Sequence, residues 1–202
     1  MNPVPDLSQR TRRYWMIDGL PELLIGSIFL FTGSVQLILL SAPANIADWT
    51  NLLLPLALIP LILLGRTILH ALKIRITYPR TGYVAYRQPP RWQRALGGLV
   101  GIGVGIALAN LTFNVQLAEA WMPVLMGATL AAGLGYLGAY LGMRRFYALA
   151  AFVTALGIFM HWTPVNGFLG ASLVIATAGA WMLISGSVTL YRYLQHTSIE
   201  VS

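Results

Sequence analysis

The sequence predicts an all-α membrane protein with six transmembrane helices, both termini cytoplasmic, and a short cytoplasmic β-hairpin between helices 2 and 3. Three observations predict it. Charged residues make up 9% of the 202-residue chain and hydrophobic residues 57%, whereas soluble domains carry about 25% charged residues. Six apolar runs approach the roughly 20 residues of helix that cross ~30 Å of hydrocarbon. The basic residues collect in alternate connecting loops, which fixes orientation. Backbone groups in lipid must be paired within their own segment, and no stretch alternates for the length of a barrel strand. Residues 1–202 read as a single polytopic domain of the cell (inner) membrane, with helices near 19–40, 52–72, 95–113, 122–141, 147–162 and 167–191.

The first helix follows Arg10, Arg12 and Arg13, but no small-residue cleavage site follows a short core, so it reads as an uncleaved span. Asp18 is placed to cap it and Pro21 is tolerated in its opening turn. Gly19, Gly26 and Gly33 recur every seven residues, a face suited to a left-handed helix crossing of about +20°.

The second helix carries Pro55 and Pro60, its kink signals, and Arg66 near its cytoplasmic end. Charges inside a span are costly and are functional candidates. Asp18 and Glu22 share a face of the first helix at i, i+4, and Arg66, His70 and Lys73 share one of the second at i, i+4, i+7. The depths match, which predicts a contact between Glu22 and Arg66. Asp18, Glu22, Arg66 and His70 are therefore the ligand or ion-pair candidates.

The segment 73–87 alternates in character: Ile74, Ile76 and Tyr78 against Lys73, Arg75 and Thr77. With Pro79 and Gly82 as turn residues, it predicts a short hairpin on the membrane surface. Lys73, Arg75, Tyr78, Arg80, Tyr83, Tyr86, Arg87, Arg91 and Trp92 are the expected interface with anionic headgroups or with a partner protein.

The third helix places Gly97, Gly101 and Gly105 at a spacing of four, and the fourth does the same with Gly127, Ala131 and Gly135. Such stripes let backbones approach closely. The simplest expectation is that the two stripes face each other, the rival being a homo-oligomer surface. The fifth and sixth helices carry scattered hydroxyls that suit bonds to their own helix or a neighbour.

Arg10, Arg12, Arg13, Lys73, Arg75, Arg80, Arg87, Arg91, Arg94, Arg144, Arg145 and Arg192 all fall on the side of the termini, leaving only Arg66 of the 13 basic residues inside a span. The net charge of +7 is then a matter of topology and argues against nucleic acid. Trp15, Trp49, Trp92, Trp121 and Trp162 mark helix ends as an aromatic belt. The chain has no cysteine, which removes thiolate and iron–sulfur chemistry. No catalytic set, metal motif or paired haem histidines can be assembled at one depth, so no cofactor is expected.

The strings RRYW at 12–15, DGLPE at 18–22 and ITYPRTGYVAYR at 76–87 resemble those of a group of small uncharacterised prokaryotic multi-pass membrane proteins. The resemblance covers the N-terminal half and implies a bacterial or archaeal source, without an activity. The expected function is a non-enzymatic scaffold or accessory component that engages a partner or anionic lipid through loop 73–94. The alternative is a small solute or lipid transporter or binding protein using the cytoplasmic cluster Asp18, Glu22, Arg66 and His70, with an enzyme third.

Overall fold

The structure, a computed structural model, describes residues 16–40, 42–43, 60–61, 63–81, 119–165 and 167–196. Helix α1 (Leu20–Leu39) starts where Gly19 adopts a left-handed φ of 73° and Pro21 occupies the opening turn. Asp18 Oδ1 accepts the Leu20 amide at 3.1 Å, satisfying one of the donors a helix start leaves open.

Helix α2 covers residues 63–76, with 60 and 61 also helical, and α3 (Tyr78–Thr81) follows after a turn at Thr77. The expected hairpin is thereby corrected: its first strand is helix. The Thr77 amide donates to the Lys73 carbonyl at 3.0 Å, a helical bond. The physical reason lies in two side chains. Lys73 Nζ and Thr77 Oγ1 both donate to Asp18 Oδ2, at 2.7 and 2.8 Å. Residues four apart are about 13 Å apart along a strand and about 6 Å apart on a helix, so only the helix brings both to one oxygen. The second expected strand, 83–87, lies outside the described residues, as do the third helix with Gly97, Gly101 and Gly105.

A 3-10 turn (Glu119–Trp121) leads into α4 (Met122–Leu141). Gly142, at φ 64°, closes α4, and the Met143 amide reaches back to the Gly138 carbonyl at 3.1 Å, which satisfies an end carbonyl as a glycine C-cap does. The chain re-enters helix at once as α5 (Arg144–His161), so α5 begins before the expected residue 147. Helix α6 (Gly167–His196) is longer than expected, with 30 residues. At 1.5 Å per residue it is about 45 Å long and overruns the hydrocarbon core.

Among the described residues there is no strand, and three helical segments are long and apolar enough to cross a membrane: Leu20–Leu39, Glu119–Leu141 and Gly167–His196. Their outward faces carry exposed Ile38, Tyr136 and Ile184, large apolar side chains of the kind that meet lipid.

Helix α6 is the spine, with α1 along one side and the α4–α5 pair along the other. The glycine face of α1 is the one used. A Cβ on Gly19 would stand 2.5 Å from the Gly186 carbonyl oxygen, one on Gly26 2.9 Å from that of Gly179, and one on Gly33 2.6 Å from the Ala176 amide. Backbone therefore meets backbone along the whole of α1, the mode of association that suits lipid. Gly127 of the α4 stripe packs on α5, where a Cβ would lie 2.6 Å from the Val153 carbonyl oxygen. Ala131 packs against the core, and no described atom lies within 4 Å of a Cβ placed on Gly135. The core between α4, α5 and α6 is built from Leu134, Phe146, Leu149, Val153, Val174 and Met182.

Candidate functional site: a buried ion-pair network at one end of the bundle

The start of α1, the end of α2, the start of α5 and the end of α6 meet at one end of the bundle. Each contributes at least one polar side chain from its inward face. On α2 the buried stripe is Gly65, Leu69, Lys73 and Thr77, a spacing of four, and a Cβ on Gly65 would lie 3.0 Å from Leu24 of α1. That stripe turns Lys73 toward Asp18.

Asp18 is wholly buried, and Lys73 and Thr77 are each 1% exposed. Lys73 Nζ and Asp18 Oδ2 form an ion pair at 2.7 Å, and the Tyr193 hydroxyl of α6 donates to the Thr77 carbonyl at 3.3 Å. One turn along α1, Glu22 is 2% exposed. Arg145 Nη2 of α5 lies 2.5 Å from Glu22 Oε1, while Ser185 Oγ of α6 donates to Glu22 Oε2 at 3.1 Å. Arg145 also donates to Thr189 Oγ1 at 2.7 Å and to the Met16 carbonyl at 2.9 Å. Its guanidinium lies 5.6 Å from the Phe146 ring centroid, within cation–π range.

Two carboxylates and two cations thus close on each other with no net charge. Buried ions persist only when paired and hydrogen-bonded; both carboxylates are paired and accept hydrogen bonds here, while Glu22 Oε1 and Arg145 Nε make no hydrogen bond beside the ion pair. Each carboxylate is held by a cation and a hydroxyl, an arrangement that locks helices together and leaves neither poised as a free base.

Of the expected site residues, Asp18 and Glu22 are in the network. Arg66 and His70 are not: both are exposed on α2. They sit one residue off the buried stripe, about 100° round the helix. The expected Glu22–Arg66 contact is therefore corrected to Glu22–Arg145. Lys73, expected at the lipid or partner interface, is corrected to a buried ion-pair member. Arg75 is exposed and Tyr78 half-buried, while the backbone of Arg80 lies in α3. Tyr83, Tyr86, Arg87, Arg91 and Trp92 lie outside the described residues. Sequence reasoning missed Arg145, Thr77, Ser185, Thr189 and Tyr193. A signal existed: Ser185, Thr189 and Tyr193 repeat every fourth residue on α6, a polar stripe at the depth of the first turn of α1.

At the opposite end His161 Nδ1 donates to the Ala120 carbonyl at 2.8 Å, with the Trp121 ring 4.4 Å away, and Ser172 Oγ donates to Gln36 Oε1 at 3.2 Å. No charged pair joins helices there among the described residues. No group of three or more metal-ligating side chains occurs among the described residues. Comparison with protein-family models, curated proteins and solved structures finds no match to this chain.

Proposed function

We propose that the protein is a six-pass inner-membrane component, with both termini cytoplasmic, that works as a non-enzymatic scaffold or accessory subunit. Its basic end engages an anionic leaflet or a partner protein. The observation that carries this reading is the rigid polar end. Four helices meet there, α1, α2 and α5 joined by paired charges and α6 by hydroxyls, and two of them continue outward. From Gly186, beside the start of α1, α6 runs on to His196, about 15 Å. The end of α2 docks beside that extension through Thr77 and Tyr193. Arg75 and Arg192 are exposed on this projection. Arg80, Arg87, Arg91 and Arg94 follow directly in sequence, and basic residues near an anionic leaflet each contribute about 1 kcal/mol. The internal pairing of Asp18 and Glu22 counts against the transporter reading, which needs these groups available to a solute.

The test is purification of the full chain from its native host in mild detergent, with mass spectrometry of bound proteins and lipids. The same is done for a variant with Arg87→Gln, Arg91→Gln and Arg94→Gln. The wild type is expected to retain a partner or anionic lipid that the variant loses. Equal retention by both would remove the loop from the function.

A further inference from the structure

Beside the buried network, sharing Arg145 and Thr189 with it, a cleft of about 470 Å³ lies between Ile17, the Gly142–Met143 turn, Arg144, Arg145 and Thr189. We propose that this cleft is a binding site for a phosphate-bearing anion, with Arg144 as its free cation and Arg145 as its fixed wall. The inference rests on the reading that this end of the bundle meets the cytoplasmic leaflet.

The electrostatics favour an anion. Arg145 is held in place by Thr189, Met16 and Glu22, and Glu22 balances its charge. Arg144, the next residue, is exposed and has no hydrogen-bond or ion-pair partner among the described residues. The cleft is therefore left with one uncompensated positive charge, on a guanidinium whose planar fork matches phosphate oxygens.

The shape favours more than a bare ion. The volume falls within the range of ligand pockets, about 300–1,000 Å³, far above what an inorganic anion needs. Its walls are mixed: Ile17, 44% exposed, and Met143 offer apolar surface beside the two arginines. Charge and apolar wall in one cleft suit a phosphodiester headgroup with the start of its acyl chains.

The experiment uses the full chain in mild detergent, titrated with phosphatidylglycerol or phosphatidylcholine and read by native mass spectrometry, with inorganic phosphate as competitor. Arg144→Gln removes the free charge, and Ile17→Trp fills the mouth without changing charge. Both positions are exposed, so the fold survives. The wild type should retain phosphatidylglycerol in preference to phosphatidylcholine, and each variant should bind it about fivefold more weakly. Displacement by inorganic phosphate would identify free phosphate as the source of the anion, and lack of displacement a lipid headgroup. No binding by the wild type, or binding unchanged in both variants, would overturn the proposal. If binding is unchanged in both but abolished by the Arg87, Arg91 and Arg94 substitutions, the loop reading stands and the cleft falls. If binding depends on Arg144 while the loop variant keeps its partner, the cleft stands and the loop reading falls.

Discussion

Asp18 and Lys73, 55 residues apart in the chain, are joined at 2.7 Å with both side chains almost completely shielded from solvent. The pair fixes the end of α2 against the start of α1. Replacing one partner leaves the other as an uncompensated buried charge, a change that costs about 3–5 kcal/mol. Asp18→Asn should therefore lower the thermal midpoint in detergent sharply. Asp18→Asn combined with Lys73→Met, which removes both charges, should recover much of the loss. A single variant that melts with the wild type would show that the pair is unimportant to the fold.

The second pair separates two arginines. Arg145→Gln strips Glu22 of its cation and should destabilise by about 3 kcal/mol or more. Arg66→Gln changes an exposed side chain and should stay within about 0.5 kcal/mol of the wild type. Denaturant or thermal unfolding of the two variants in the same detergent checks the contrast.

The seam between α1 and α6 leaves no room for a side chain. Gly26→Val places a branched side chain where even a Cβ meets the Gly179 carbonyl oxygen at 2.9 Å, and overpacking of this kind costs about 1–3 kcal/mol. Gly133→Ala is the control. It lies on an exposed part of α4 with no described atom within 4 Å of the new Cβ. Removing a helix glycine there is worth up to about 1 kcal/mol in helix propensity, so that variant should melt at or above the wild type.

Orientation is checked by single cysteines in this cysteine-free chain. Cysteines at Ser8, Thr197 and Arg91 should react with a membrane-impermeant thiol reagent only after the cytoplasmic side is opened, and those at Gln116 and Asn166 in intact cells. Labelling of Ser8 and Gln116 from the same side would break the proposed topology.

The spans over 20–39, 122–141 and 167–191 and the glycine heptad of α1 were legible because period and length speak directly to packing in lipid. Asp18 and Glu22 stood out because carboxylates within a span are rare. Their partners were not legible from spacing alone. Arg66 and Lys73 both belong to the basic set on the second helix, and only the rotation of that helix against α1 decides which faces inward. Arg145 was hidden by its neighbour: a doubled arginine at a turn expected on the cytoplasmic side is sufficiently explained by topology, yet one of the two turns inward and the other outward. The alternation at 73–78 misled for a related reason. A short amphipathic run fits period 2 and period 3.6 equally well, and the long-range contact with Asp18 selected the helix.

Helix α6 follows every other described helix in the chain, so it is the last of them to leave the ribosome. Until it arrives, α1 has no glycine partner and Arg145 lacks Thr189. An incomplete chain therefore presents a grooved helix and a half-satisfied charge to the lipid, the kind of surface that membrane chaperones and proteases act on. Completion of α6 supplies both contacts at once.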